Sequence, residues 1–85
     1  MTEITKQREE IDRIDAAIIP LLLERFAVVR KIGAAKKEAG LPVFDPAREK
    51  AVLEKISAKA GTEEEKKALC AVYESIMTAA KELEK

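Results

Sequence analysis

Two basic residues interrupt the apolar stripe of a predicted helix. With about 100° between successive residues, Arg25 and Lys36 fall on one helical face. The same face carries the apolar residues Ile18, Val29 and Ile32. Long basic side chains often lie at the edge of such a stripe with the charge in water. The alternative is that both charges point into an apolar interior, where each needs a partner.

Charged residues also interrupt the apolar faces of two further predicted helices. Arg48 shares a face with Val52 and lies in a first helical turn, where the dipole favours acidic residues. Glu49 lies on the same apolar side, and Glu84 follows Ala80 by four residues. Together these charges predict either an internal salt-bridge network or a site for a small anionic ligand.

Composition limits the chemistry that these residues can perform. The 85 residues include no histidine, so metal sites, triads and general bases that depend on imidazole are excluded. The single Cys70 is predicted to be a small buried filler, which suggests a reducing compartment. Sixteen basic and sixteen acidic residues cancel, so we expect no nucleic-acid or membrane partner.

The length and the N-terminus indicate one small cytoplasmic domain over residues 1–85. A chain this short buries only about 60–65% of its unfolded surface, so a partner chain would stabilise it. The opening MTEITKQREEID is too charged for a signal peptide. No apolar run approaches the roughly 20 residues that span a bilayer.

Helical periodicity predicts a first helix from Ile4 to about Ala39, followed by Gly40 in the left-handed position that ends helices. Its length of roughly 54 Å exceeds what two shorter helices can cover, which favours a two-fold dimer through this helix. Pro20 predicts a kink in a continuous helix, or else a break that lets the chain fold back as a monomer.

Capping signals predict two further helices, and no segment resembles a strand. Asp45 suits an N-cap followed by Pro46 at the first helical position, and Gly61 is predicted to end that helix. Thr62 and Glu65 form a capping box for a third helix. The predicted fold is therefore all-α, with one long and two shorter helices per chain.

The segments REEIDRIDAAIIPLLLERFAVVRKIGAAKK, GLPVFDPAREK and VYESIMTAAKELE resemble the all-helical class of chorismate mutases, from about Arg8 to Glu84. The resemblance implies an isomerase that rearranges chorismate to prephenate in phenylalanine and tyrosine biosynthesis, without cofactor, metal or covalent intermediate. It also implies an intertwined homodimer whose two active sites each receive an arginine from the partner.

The resemblance assigns roles to the basic residues. Arg25 is similar to the arginine that binds a substrate carboxylate, and Arg8 to the arginine that reaches the other carboxylate across the dimer. Lys36 is similar to the lysine that contacts the ether oxygen and an adjacent carboxylate. Arg48 matches a supporting arginine of the site.

Among the acidic positions, Asp45 and Glu49 match site residues, and Glu49 is similar to the residue that accepts from the substrate hydroxyl. Two positions depart from the pattern. Ala80 stands where a serine often binds carboxylate, so either binding is modestly weakened or Thr78 or a backbone group substitutes. Glu84 stands where a glutamine or glutamate donates to the ether oxygen.

A glutamate can donate only when protonated, so the assignment of Glu84 predicts activity that rises as pH falls toward about 5. Glu84 is also the penultimate residue, where a frayed chain end is the alternative.

Two other functions fit the pattern. An isochorismate-pyruvate lyase of the same fold would use a similar cationic pocket. A non-catalytic helical dimerisation or regulatory module would use inward charges only to set helix register.

Overall fold

The computed structural model describes residues 2–85, which form three helices: α1 (Glu3–Ala39), α2 (Pro46–Ser57) and α3 (Glu63–Glu84). No strand occurs in this range, so the predicted all-α class and helix count are confirmed. Helix α3 packs against both α1 and α2, and these two helices are held together through their contacts with α3.

Helix α1 is continuous through Pro20, as expected, and the alternative of a break that folds the chain back is wrong. The helix begins at Thr2, whose hydroxyl accepts from the backbone N–H of Thr5 at 3.2 Å. It ends at Gly40, which has a positive φ of 71°. The N–H of Leu41 then donates to the carbonyl of Lys36 at 2.8 Å, as in the predicted glycine-terminated ending.

The predicted start of α2 is confirmed, but its predicted end is wrong. Asp45 Oδ1 accepts from the N–H of Arg48 at 3.0 Å, and Pro46 occupies the first turn. The helix ends at Ser57 rather than near Gly61. The N–H groups of Lys59 and Ala60 bond to carbonyls three residues back, so this helix closes without a left-handed glycine.

Gly61 instead takes part in the start of α3. Thr62 Oγ1 accepts from the N–H of Glu65 at 3.1 Å, which confirms the capping box. The Glu65 carboxylate reaches back to the N–H of Gly61, also at 3.1 Å. Further along α3, Cys70 is half-buried against α2, with Sγ 3.2 Å from Ser57 Oγ.

The described chain is elongated and has a small core. It measures 56 × 27 × 15 Å with a radius of gyration of 16.1 Å, against about 12 Å for a compact domain of this length. Four apolar side chains are buried: Val29, Ile56, Met77 and Ala80. No helix within residues 2–85 is long and apolar enough to cross a membrane.

The N-terminal half of α1 extends past the other two helices and exposes its apolar residues. Ile4, Ile11, Ile14 and Ile18 are between 42% and 63% exposed. We define these four isoleucines as the α1 isoleucine face. Isolated exposed apolar residues are ordinary, but a row of them along one helix is typical of an interaction surface.

Candidate active site

A pocket of about 240 Å³ lies where the C-terminal half of α1, the start of α2 and the end of α3 meet. Its apolar walls include Val29, Ile32 and Met77. Seven of the eight predicted site residues line it: Arg25, Lys36, Asp45, Arg48, Glu49, Ala80 and Glu84. Three separate stretches of sequence therefore supply one pocket.

The eighth predicted residue, Arg8, does not line this pocket. It lies on the exposed N-terminal part of α1, which makes no packing contact with α2. A role for Arg8 at this pocket would need the α1 of a second chain to bring it there, so that role stays a prediction.

Arg25 is the residue whose environment most clearly indicates a ligand. Its Nη1 atom is buried and has no hydrogen-bond partner among the described residues. An unpaired buried donor costs free energy, and more so when it is charged. Because the guanidinium also lines the pocket, a carboxylate bound there could accept two parallel hydrogen bonds from it.

Lys36 and Glu84 meet across α1 and α3. Lys36 Nζ lies 2.7 Å from Glu84 Oε1, and both side chains are largely buried, at 19% and 9% exposed. The ammonium also donates to the carbonyl of Val43 at 2.8 Å. The Lys36–Glu84 contact is a close ion pair, but its angles are not those of a hydrogen bond, so Glu84 Oε1 has no hydrogen-bond partner. Glu84 therefore lines the pocket as the last residue of α3, in contact with Lys36.

Gly33 permits this approach of α3 to α1. A Cβ at position 33 would lie 2.7 Å from both the Cα and the carbonyl oxygen of Glu84. Any larger side chain would push the last turn of α3 outward. Gly33 is buried, and it lies one helical turn before Lys36. Its missing side chain therefore sets the distance between Lys36 and Glu84.

The two acidic residues near α2 serve different contacts. Asp45 caps α2 through the N–H of Arg48, so its carboxylate fixes the first turn that presents the Arg48 side chain to the pocket. Glu49 Oε2 pairs with Lys81 Nζ of α3 at 3.0 Å. These contacts hold the start of α2 against the end of α3.

Lys81 is a pocket residue that the sequence reasoning missed. Its ammonium also lies 4.8 Å from the centre of the Phe44 ring, a cation–π distance. The spacing contained a signal, because Lys81 follows Met77 by four residues and precedes Glu84 by three. Residues at these spacings share a helical face.

The missing serine at Ala80 is not replaced by Thr78. The Thr78 hydroxyl donates to the backbone carbonyl of Glu74 at 2.9 Å, and the residue is exposed. Ala80 itself is buried and presents only a methyl group to the pocket. Thr78 does not line the pocket, so the alternative in which its hydroxyl supplies the serine's contact is wrong.

The pocket thus combines four cations and three carboxylates with apolar walls. Fixed cations in a site that excludes water bind carboxylates strongly and stabilise developing negative charge. Among residues 2–85 no group of acidic or cysteine side chains is arranged to hold a metal ion. The arrangement suits a small anionic ligand.

The sequence is similar to a protein family and to several named proteins. Residues 7–85 match the family model described as chorismate mutase type II. A bifunctional chorismate mutase/prephenate dehydratase of Aquifex aeolicus is 39% identical over 89 residues, covering all of this chain but 25% of that relative. A chorismate mutase of Methanocaldococcus jannaschii is 33% identical over 54 residues, 64% of this chain and 54% of that relative.

Structure comparison gives the same fold. Chorismate mutase (form II) of Thermus thermophilus superposes with a TM-score of 0.88 and 32% identity, covering 98% of this chain and 94% of that one. A conserved hypothetical protein of Pyrococcus furiosus gives a TM-score of 0.81 at 32% identity, covering 100% of this chain and 99% of that one. Since the family match extends over all three helices and every pocket residue, the chain belongs to the chorismate mutase type II family.

Proposed function

We propose that this chain is a chorismate mutase, which rearranges chorismate to prephenate in the biosynthesis of phenylalanine and tyrosine. The observation that carries the proposal is the buried, unpartnered Nη1 of Arg25 in a pocket with three further cations. Family membership supports the same reaction. Chorismate carries two carboxylates, an ether oxygen and a hydroxyl, and the pocket offers groups for each.

The substrate-binding roles follow from the chemistry of each side chain. Arg25 and Arg48 carry guanidinium groups without a salt-bridge partner among residues 2–85, so both are available to substrate carboxylates. Glu49 can accept from the substrate hydroxyl with the carboxylate oxygen that Lys81 leaves free. Asp45 acts indirectly, by capping the helix that carries Arg48.

Lys36 and Glu84 are the residues proposed to act on the breaking ether bond. A pericyclic rearrangement requires no nucleophile, so the protein needs only to hold the reactive conformer and stabilise charge on the ether oxygen. Lys36 is already fixed by Val43, so little reorganisation accompanies the reaction. Glu84 can donate to the same oxygen when it is protonated.

A homodimer completes the proposed site. The α1 isoleucine face is exposed in the single chain, and a second copy of α1 laid along it would bury these side chains. Full burial of an exposed isoleucine is worth about 1.5–3 kcal/mol, and because these side chains are already partly buried, each would contribute roughly half of that. Arg8 lies on the same part of α1 and would enter the pocket of the other copy. We expect this dimer to function in the cytoplasm.

The decisive experiment measures loss of chorismate absorbance with purified protein and identifies the product. Formation of prephenate, strongly reduced in an Arg25→Ala variant that remains folded, is the expected result. Release of pyruvate and salicylate from isochorismate would assign the lyase reaction instead. A folded dimer that converts neither compound would refute the enzymatic proposal and favour an interaction module.

A further inference from the structure

No hydroxyl of α3 reaches the pocket near Ala80. The Thr78 hydroxyl donates to the carbonyl of Glu74, and the Ser75 hydroxyl donates to the carbonyl of Ala71 at 3.3 Å. Both residues are exposed on the outer side of the helix. The pocket wall formed by α3 is therefore apolar at Ala80, and a polar side chain of α3 near this point has to come from another position.

Lys81 supplies a charged group at this wall. Lys81 lines the pocket, and its ammonium lies 3.0 Å from Glu49, another pocket residue, and 4.8 Å from the centre of the Phe44 ring. The Lys81 side chain is 31% exposed, whereas that of Lys85, close to the end of the same helix, is 65% exposed and pairs only with Glu82. Lys81 is thus drawn toward the pocket instead of extending into solvent.

The charges of the pocket show why this lysine matters for an anionic ligand. Without Lys81, three cations would face three carboxylates, and the pocket would have no excess positive charge. Lys36 is already engaged by Glu84 and by the carbonyl of Val43. A doubly charged substrate would then rely on Arg25 and Arg48 alone within this chain.

We propose that Lys81 binds a substrate carboxylate and takes the place of the hydroxyl that Ala80 lacks. A lysine ammonium has three N–H donors, so the contact with Glu49 leaves two for the substrate. The pairing with Glu49 also prevents the ammonium from moving away from the wall. This inference rests on the proposed function, because it assumes a dicarboxylate substrate in the pocket.

The test compares steady-state kinetics of the wild type with Lys81→Met, Lys81→Arg and the double variant Ala80→Ser/Lys81→Met. Removal of one charge-assisted contact to the substrate should raise KM about tenfold and change kcat by less than about threefold. Arginine should keep KM near the wild-type value. Serine at position 80 should return most of the lost affinity by restoring a hydroxyl donor.

Lys67→Met is the matched control, because Lys67 is an exposed lysine of the same helix outside the pocket. Its KM should equal that of the wild type. Circular dichroism and gel filtration establish that each variant folds as the wild type does. Should Lys81→Met fold poorly, Lys81→Gln keeps a polar side chain and is expected to show the same rise in KM.

The possible failures are distinguishable. A wild type without mutase activity overturns the proposed function and, with it, the role of Lys81. An active wild type with KM raised less than about fivefold in Lys81→Met overturns the role of Lys81 alone. A raised KM that Ala80→Ser does not restore also overturns it, since Lys81 would then act by positioning Glu49.

Discussion

Replacing Gly33 by alanine tests whether the approach of α3 to α1 sets the geometry of the site. The new Cβ would lie 2.7 Å from the Cα and the carbonyl oxygen of Glu84 and 3.1 Å from its carbonyl carbon. Unstrained carbon contacts are about 3.5 Å or longer. The clash is with backbone, so the end of α3 must move outward by about 0.8 Å, which separates Glu84 from Lys36.

The displacement should affect rate more than stability. Overpacking costs about 1–3 kcal/mol, and alanine recovers about 1 kcal/mol in helix propensity, so the net loss of folding free energy is about 0–2 kcal/mol. A misplacement of about 1 Å at reacting groups can lower the rate on the order of 100-fold. We therefore expect kcat/KM to fall far more than the free energy of unfolding.

The assay combines urea unfolding with chorismate kinetics for Gly33→Ala, Glu84→Ala and the double variant. If Gly33 acts through Glu84, adding Gly33→Ala to Glu84→Ala should change kcat/KM by less than about threefold. Gly61→Ala is the matched control, since its Cβ would meet only the flexible end of Glu65 at 3.0 Å. Unchanged kcat/KM in Gly33→Ala, or losses that multiply in the double variant, would refute the reasoning.

Three further variants test the remaining assignments. A carboxylate cannot donate to the ether oxygen, whereas the amide of Glu84→Gln can, so Glu84→Gln should keep or raise kcat/KM while Glu84→Ala lowers it. Equal kcat/KM in Glu84→Ala and the wild type would remove Glu84 from the mechanism. Arg25→Ala should lower kcat/KM about 100-fold while light scattering still detects the dimer, and a loss of dimer instead would indicate a structural role. Ile14→Glu should raise the dimer dissociation constant at least about tenfold, because two-fold symmetry places the new charge in the interface twice. Activity should therefore fall in dilute solution, and an active monomer would contradict a site shared between two chains.

Local signals in the sequence were sufficient to predict most of the fold. Asp45, Thr62 and Gly40 each end or begin a helix through contacts with residues at most four positions away, and such contacts are encoded in short motifs. The end of α2 was misplaced because a glycine usually signals a left-handed ending. Here Ala58 ends the helix in a right-handed conformation, and Gly61 serves the capping box of α3 instead.

The sequence pointed to several charged residues that interrupt the apolar face of their own helix, and it missed residues whose surroundings are supplied by another helix. Arg25, Lys36 and Glu84 broke the periodicity of their own helices and were therefore visible. Lys81 resembled one more surface lysine, because its partners Glu49 and Phe44 lie on different elements. The role of Gly33 was also hidden, since only packing shows that the Glu84 backbone lies against it.

The small core limits which substitutions can stabilise this chain without lowering its activity. Of the four buried apolar side chains in residues 2–85, Val29, Met77 and Ala80 also line the pocket. A substitution that packs these positions more tightly would fill the pocket. Such a substitution should raise thermostability but lower turnover. Ligand binding should in turn raise the melting temperature, because the same walls bury it. Stabilising substitutions that spare activity are therefore confined to Ile56 and the outer helix surfaces.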